Sequence, residues 1–468
     1  MKRILYSLSL MLTFWLPVFS QEKKLDNIIK EEGIPGIQLI YAKGTKIRAF
    51  NLGTISQGST QKVSANTIFE AASLSKSVFT YAVLRLYDRG ILSLDTPLLH
   101  YIGSYARFDP KDSRYAKITA RMVLRHTTGL PNWGDNAGVR LIFSPDSTFS
   151  YSGEGFLFLQ RVVEKKLNKS LGEIAKEEVF KPLKMESSSY AWTDKYDTVA
   201  AFGNSTEQVN RHKNENAAYS LLTNAHDYSV FLEAVITGRG LKPETRKMMF
   251  EKSSAGNRFG KPVIEANQHI NWGLGFGLTE NEKGKAIWHW GDNGNFKCFY
   301  LAYPATNERL VYFTNSQDGL NILGDVLDLF YGKQTWWPAI WLQYGYESPK
   351  LIKEFQAKLT KVGFEHAPEL FAELKKKDSN YKLPEDDVNK LGYKLLRQGK
   401  KKEALEIFKL NVSLYPDIWN TYDSLGEAYW NLDDKVLAIK NYTRSLELNP
   451  QNTNAIESLK KIEQPDNK

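Results

Sequence analysis

The last part of this chain repeats itself every 34 residues, which leaves it few ways to fold. A shift of 34 takes Leu391 onto Leu425, Gly392 onto Gly426, Ala404 onto Ala438, Phe408 onto Tyr442, Leu414 onto Leu448 and Pro416 onto Pro450. A unit this short cannot bury its apolar face alone and has to stack on copies of itself. Gly and Ala fall where the two helices of one unit touch. Pro ends the second helix, because it lacks an N–H and clashes with the preceding turn. The pattern predicts two helical pairs, Glu385–Pro416 and Trp419–Pro450, and a capping helix at Asn454–Glu463.

A chain of 468 residues exceeds one ordinary core and calls for two or three domains. Hydrophobic residues make up 42% and charged ones 25%, the balance of a globular protein. The formal charge of +9 comes from scattered lysines and reads as a solvated surface, so no nucleic acid is expected as a partner. Met1-Lys2-Arg3 is a basic head, Ile4 to Phe19 is mostly apolar, and small residues follow, as in a secretory signal peptide cut after Ser20. Residues 1–20 are therefore expected to export the chain to the periplasm or beyond the cell. No later segment is apolar enough to span a membrane. Cys298 is the single cysteine, so no internal disulfide forms; it falls in an apolar run and reads as a small core residue.

Between leader and repeat, strand patterns stand at both ends and helices fill the middle. Ile37–Ala42 and Lys46–Leu52 read as a hairpin around Lys43-Gly44; Ala286–Trp290, Phe296–Tyr303 and Leu310–Thr314 read as strands, followed by a helix at Leu320–Tyr331. The expected class is α+β, one antiparallel sheet built from both ends and flanked by helices, followed by the all-α array. The expected division is 25–335 for this domain, 336–384 for a helical connector, and 385–468 for the repeats.

Chemistry concentrates at Ser73-Leu74-Ser75-Lys76. The spacing Ser-x-x-Lys alone means little, since it recurs at Ser59/Lys62, Ser379/Lys382 and Ser458/Lys461. Ser73 differs in opening an apolar helix, with Val78, Phe79, Ala82, Val83 and Leu86 as its buried stripe and Arg89-Gly90 as its stop. Residues three apart share a helix face, which sets the Lys76 amine over the Ser73 hydroxyl. Free N–H groups at a helix start stabilise an oxyanion, and desolvation favours the neutral amine that a general base requires.

Further segments, in order along the chain, resemble those of penicillin-binding proteins, class C β-lactamases and related esterases. Ser73–Lys76 is similar to the first motif of that family. Leu124-Arg125-His126-Thr127-Thr128-Gly129-Leu130-Pro131 resembles its His-Thr-Ser-Gly-Leu stretch, and Tyr151-Ser152-Gly153 its Tyr-Ser-Asn motif. Phe180–Met185 and Trp272–Gly277 resemble downstream markers, and His289-Trp290-Gly291 the Lys-Thr-Gly or His-x-Gly motif. The resemblance implies Ser73 as the acylated nucleophile. It implies Lys76 and Tyr151 as the pair that moves its proton, without saying which is the base. The N–H groups of Ser73 and Asp292 match the oxyanion donors, beside His289 and Gly291. His126 reads as a structural loop histidine bonding backbone near Gly129. The 34-residue repeat, for its part, resembles the tetratricopeptide (TPR) array, a helical surface on which a protein partner can bind.

Two departures bear on substrate. Gly153 stands where the family often has Asn, and His289-Trp290 where carboxylate-binding members have Lys-Thr. Lys297 is the nearby candidate to supply the missing cation. The reading is an exported serine hydrolase acting on a small-molecule or peptide ester or amide, with no cofactor and no metal. A β-lactamase, a D-Ala-D-Ala carboxypeptidase or D-aminopeptidase, and a non-enzymatic sensor or scaffold are the alternatives.

Overall fold

The computed structural model describes residues 20–136, 138–203, 211, 213–257, 262–344 and 350–463. The leader read over residues 1–20 thus lies, Ser20 apart, outside the described residues. The chain divides into two compact units, Met1–Tyr344 and Gly345–Lys468.

The first unit is built on an eight-stranded antiparallel sheet. In chain order its strands are β1 (Gly36–Lys43), β2 (Lys46–Gly53), β5 (Ser254–Ala255), β6 (Ile270–Trp272), β7 (Gly277–Asn281), β8 (Gly284–Asp292), β9 (Lys297–Tyr303) and β10 (Glu308–Thr314). The pairs β3 (Phe69–Glu70) and β4 (Leu222–Thr223) form a separate two-stranded ladder. The order across the large sheet is β2-β1-β10-β9-β8-β7-β6-β5. The expected hairpin forms with Lys43 opposite Lys46, and the two ends of the domain meet where Ile37 pairs with Thr314.

Both faces of the sheet are covered, which is why its central strands read as nearly unbroken apolar runs. Ile37, Leu39 and Tyr41 of β1 and Phe299, Leu301 and Tyr303 of β9 join one core with Leu25 and Ile29 of α1 (20–32) and with α5 (Leu323–Tyr331). Ile40, Ala42, Cys298, Tyr300 and Ala302 point the other way. They meet α2 (Ser75–Asp88), α3 (Gly153–Leu167) and α4 (Ala225–Thr237). This second, wider layer carries the nucleophile.

The segment expected to act as a connector divides between the units. Helix α6 (Trp337–Leu342) belongs to the first, where Trp341 is buried against Trp288 and donates from Nε1 to the Gly256 carbonyl at 2.6 Å. Helices α7 (Lys350–Val362) and α8 (Ala367–Lys377) belong to the second. Ile352, Phe355 and Leu359 of α7 share a core with Val388, Leu391, Ile407 and Phe408. An amphipathic helix this apolar on one face is packed rather than spanning, and its Lys/Glu content only marks the outer face.

The rest of the second unit is α9 (Glu385–Arg397), α10 (Lys401–Leu414), α11 (Trp419–Asn431), α12 (Lys435–Leu448) and α13 (Thr453–Glu463). The repeat has a steric reason. A Cβ on Gly392 would lie 2.5 Å from the Phe408 ring, and one on Gly426 3.0 Å from the ring of Tyr442, the residue 34 places beyond Phe408. Each glycine lets the aromatic of its partner helix close down. Replacing Gly392 by Leu is expected to destabilise this unit by about 1–3 kcal/mol through overpacking. The measurement is hydrogen exchange of α9 and α10 with and without the change, and unaltered protection would show that the contact is loose.

Candidate functional site

The turn that presents Ser73 is held from three directions. Glu70 pairs with Leu222 in the small ladder, and Ala71 N donates to the Leu221 carbonyl at 2.8 Å. The Ser75 hydroxyl donates to the Ala72 carbonyl at 2.5 Å and accepts from Leu221 N at 3.0 Å. The Cys298 thiol donates to the Ala71 carbonyl at 3.1 Å. Ala72 has φ of 44°, a left-handed conformation that is costly for a residue with a Cβ and is kept only where the surroundings enforce it. The outcome is selective exposure: from Ala71 to Leu84 every residue is buried except Ser73.

Lys76 lies one helical turn on. Its Nζ is 3.0 Å from Ser73 Oγ and donates to the Ala218 carbonyl at 2.8 Å. Burial holds its amine well below the usual lysine range. Tyr151 completes the group: its ring faces Lys76 Nζ at 4.8 Å from the centroid, stacks on His126 at 4.4 Å and meets Trp290 at 4.8 Å.

His126 fixes the Tyr151 segment, though not as the sequence suggested. Its carbonyl accepts from Ser150 N at 2.8 Å and its Nδ1 accepts from Ser152 N at 3.0 Å, so it clamps both neighbours of Tyr151 rather than backbone near Gly129. Ser152 then caps α3, accepting from Gly155 N at 3.0 Å. Burial first, then the proximity of Lys76 and His289, pushes the His126 imidazole well below its usual range.

Strand β8 forms the opposite wall. A Cβ on Gly291 would come within 2.3 Å of Cys298 Sγ and 2.7 Å of the Ala71 carbonyl, so only glycine lets the strand reach the nucleophile turn. Asn293 N donates to the Phe296 carbonyl at 3.0 Å and Asp292 stands opposite Lys297. By the alternation of antiparallel bonds, the Asp292 N–H therefore points away from β9. On that side β7 has already ended, its Gly277 opposite Trp288. His289 is fully buried behind Tyr151 and Trp290, its Nδ1 donating to the Trp290 carbonyl at 2.7 Å. The cleft is lined instead by Glu70, Ser73, Asn132, Trp133, Tyr219, Asp292 and Asn293. Five of these carried no signal in the sequence, because separate loops and a short strand bring them together.

Lys297 is buried and ion-paired with Asp292, whose other carboxylate oxygen accepts from the Tyr344 hydroxyl at 2.6 Å. The indole of Trp133 fills the space above Gly153, where a Cβ would lie 2.6 Å from the ring. Among the described residues no three His, Cys, Asp or Glu side chains gather into a group that could hold a metal ion.

A family model described as Beta-lactamase matches residues 22–326. The chain belongs to that family. Members of the β-lactamase and penicillin-binding protein family are serine hydrolases. Penicillin-binding protein 4* of Bacillus subtilis (strain 168) is 22% identical over 305 residues, 54% of this chain and 62% of that protein. The chain thus spans less than two thirds of that relative's length. Among solved structures, the octameric penicillin-binding protein homologue from Pyrococcus abyssi superposes with a TM-score of 0.56 at 20% identity, covering 68% of this chain and 78% of that one. A class C β-lactamase gives 0.54 at 18% identity, covering 64% and 91%. At these identities the structures establish the fold of this β-lactamase-family chain and nothing finer.

Burial lowers the His289 imidazole to about 3, so it stays neutral in the folded protein while the unfolded chain protonates near 6.5. The unfolded state then binds more protons between these values, and acidification through that window favours unfolding. The ring resonances of His289 are expected to be flat from about pH 8 to 5 by NMR, with stability falling below about pH 6.5. A His289 midpoint near 6.5 would place the ring in water.

Proposed function

We propose that this chain hydrolyses an ester or amide through a covalent acyl-Ser73 intermediate. The observation that carries the reading is the pairing of a partly exposed serine hydroxyl with a buried amine 3.0 Å away, which burial holds well below the usual lysine range. A neutral amine has one lone pair and two N–H bonds. With one N–H on the Ala218 carbonyl, the lone pair is free for the Ser73 proton. The geometry favours Lys76 as the first proton acceptor, with Tyr151 beside it to return the proton to the leaving group. Ser73 Oγ attacks the carbonyl carbon, the developing oxyanion is held by the N–H groups of Ser73 and Asp292, and the leaving group departs with the proton. Water then releases the acyl group by the same steps in reverse roles. His289 acts from behind, as packing for Tyr151, and Gly291 by letting β8 approach.

A fluorophosphonate probe is expected to add to Ser73, seen as an intact-mass increase lost in Ser73→Ala. Lys76→Ala and Tyr151→Phe should each lower turnover by at least about a hundredfold. Because the Lys76 amine is depressed, the rate should level off well below the usual lysine range near 10.4, and a profile still rising through pH 10 would remove Lys76 as the base. A folded protein that takes no label would favour the sensor reading.

The substrate is expected to lack a carboxylate at the third motif. Lys297, the candidate cation there, is already ion-paired with Asp292. Losing a charged hydrogen bond is worth roughly 1.5–3 kcal/mol. Nitrocefin should therefore have a kcat/KM at least about tenfold below that of a short-chain p-nitrophenyl ester. Equal or higher values would return β-lactamase or carboxypeptidase activity to first place.

Two parts of the reading lie outside the site. Export through residues 1–20 is supported by Gln21, which receives a bond from Arg48 at 2.6 Å and so ties the first residue after the expected cut into the body. The helical unit is read as a TPR array, supported by the glycine–aromatic contacts that recur 34 residues apart.

A further inference from the structure

The cleft beside Ser73 has a volume of about 400 Å³ and an uneven charge distribution. Asp292 is occupied by Lys297 and Tyr344. Glu70 is not so occupied. Its Oε2 accepts from Asn293 Nδ2 at 2.7 Å, and among the described residues no Lys, Arg or His forms an ion pair with it. Asn293 also donates to the Tyr219 carbonyl at 3.3 Å, which fixes it as the partner of the carboxylate. Trp133 and Tyr219 meet edge to face at 5.7 Å, and Trp133 is 47% exposed. That indole occupies the position a side chain at residue 153 would take. Where this family's motif offers an amide, the chain therefore offers a π face.

We propose that the substrate of this site carries a positively charged amino group on its acyl side, received by the Glu70 carboxylate and the rings of Trp133 and Tyr219. The inference rests on the acyl-Ser73 reading. A carboxylate facing a cleft without a counter-ion is an open half of an ion pair, and aromatic faces attract the same ligand through their quadrupoles. Burial pushes Glu70 up to about 7, against the pull of the Asn293 bond. A bound ammonium supplies the charge that restores the anion. A carboxylate or phosphate on the acyl side would meet repulsion at the same place.

The test uses two esters that differ in one group. β-Alanyl p-nitrophenyl ester places NH₃⁺ where butanoyl p-nitrophenyl ester places CH₃. After correction for their rates of hydroxide hydrolysis, the full-length protein should prefer the β-alanyl ester by at least about tenfold in kcat/KM, the scale of one charge-assisted hydrogen bond. Glu70→Gln should bring that ratio close to one. Trp133→Ala, at an exposed position, should lower it and serves if Glu70→Gln fails to fold. Protection of Ser73 from fluorophosphonate by β-alaninamide over butanamide gives the same comparison without turnover. Labelling or turnover with no charge preference, or a preference unchanged in both variants, overturns this inference alone. Absence of both labelling and turnover in folded protein overturns the hydrolase reading beneath it.

Discussion

Between Gly291 and the Cys298 thiol, the Ala71 carbonyl and Ala72 there is no room for a methyl group, and the rest of the site depends on that closeness. The contact brings the free edge of β8 against the start of α2. In the proposed reaction, two backbone N–H groups from distant parts of the chain, those of Ser73 and Asp292, are thereby offered to one oxygen. Backbone donors held by a sheet and a helix need no reorganisation when charge develops, which is where such sites gain most of their catalytic effect. The left-handed Ala72 is the local cost of the arrangement, sustained by the bonds from Ser75, Leu221 and Cys298 around it.

The second constraint is the dryness around Lys76. Tyr151, Phe156, His126 and His289 surround an amine that the bulk solvent does not reach. Burial lowers all three basic groups, and a positive charge on Lys76 pushes both imidazoles lower still. The two imidazoles are set by their bonds as fixed tautomers, His126 accepting at Nδ1 and His289 donating there. They are shaped spacers, and the proposed reaction leaves proton transfer to Lys76 and Tyr151.

What the sequence revealed follows the range of the interactions involved. The Ser73–Lys76 relation needs only helical geometry, and the β1–β2 hairpin only a turn between two apolar runs, so both were legible. The order of strands at the two ends was legible because apolar patterning marks them. The ion pair of Lys297 with Asp292 was within reach too, since two strands joined by a short turn place those residues opposite each other. Glu70, Asn132, Trp133, Tyr219 and Asn293 were not, because their meeting depends on where three loops and a short strand come together over a finished core. The boundary at 336–384 was misjudged for a related reason. Lys and Glu on one face of α7 obscured Ile352, Phe355 and Leu359 on the other, and Trp341 belongs to a core that reaches back to Trp272 and Leu25.

The pairing of β1 with β10 has a temporal meaning. Nearly three hundred residues separate Ile37 from Thr314, and the sheet that sets β8 against Ser73 is not whole until both strands are present. Contacts of such sequence separation are slow to form, because the loop between them must be closed before any reward arrives. During synthesis, residues 36–53 can make their hairpin early but must wait, with one edge unpaired, for strands made last. A chain interrupted between α2 and β10 carries Ser73 and Lys76 but lacks the strand that joins the two ends of the sheet. In the proposed reaction, reactivity is thus tied to completion of the fold.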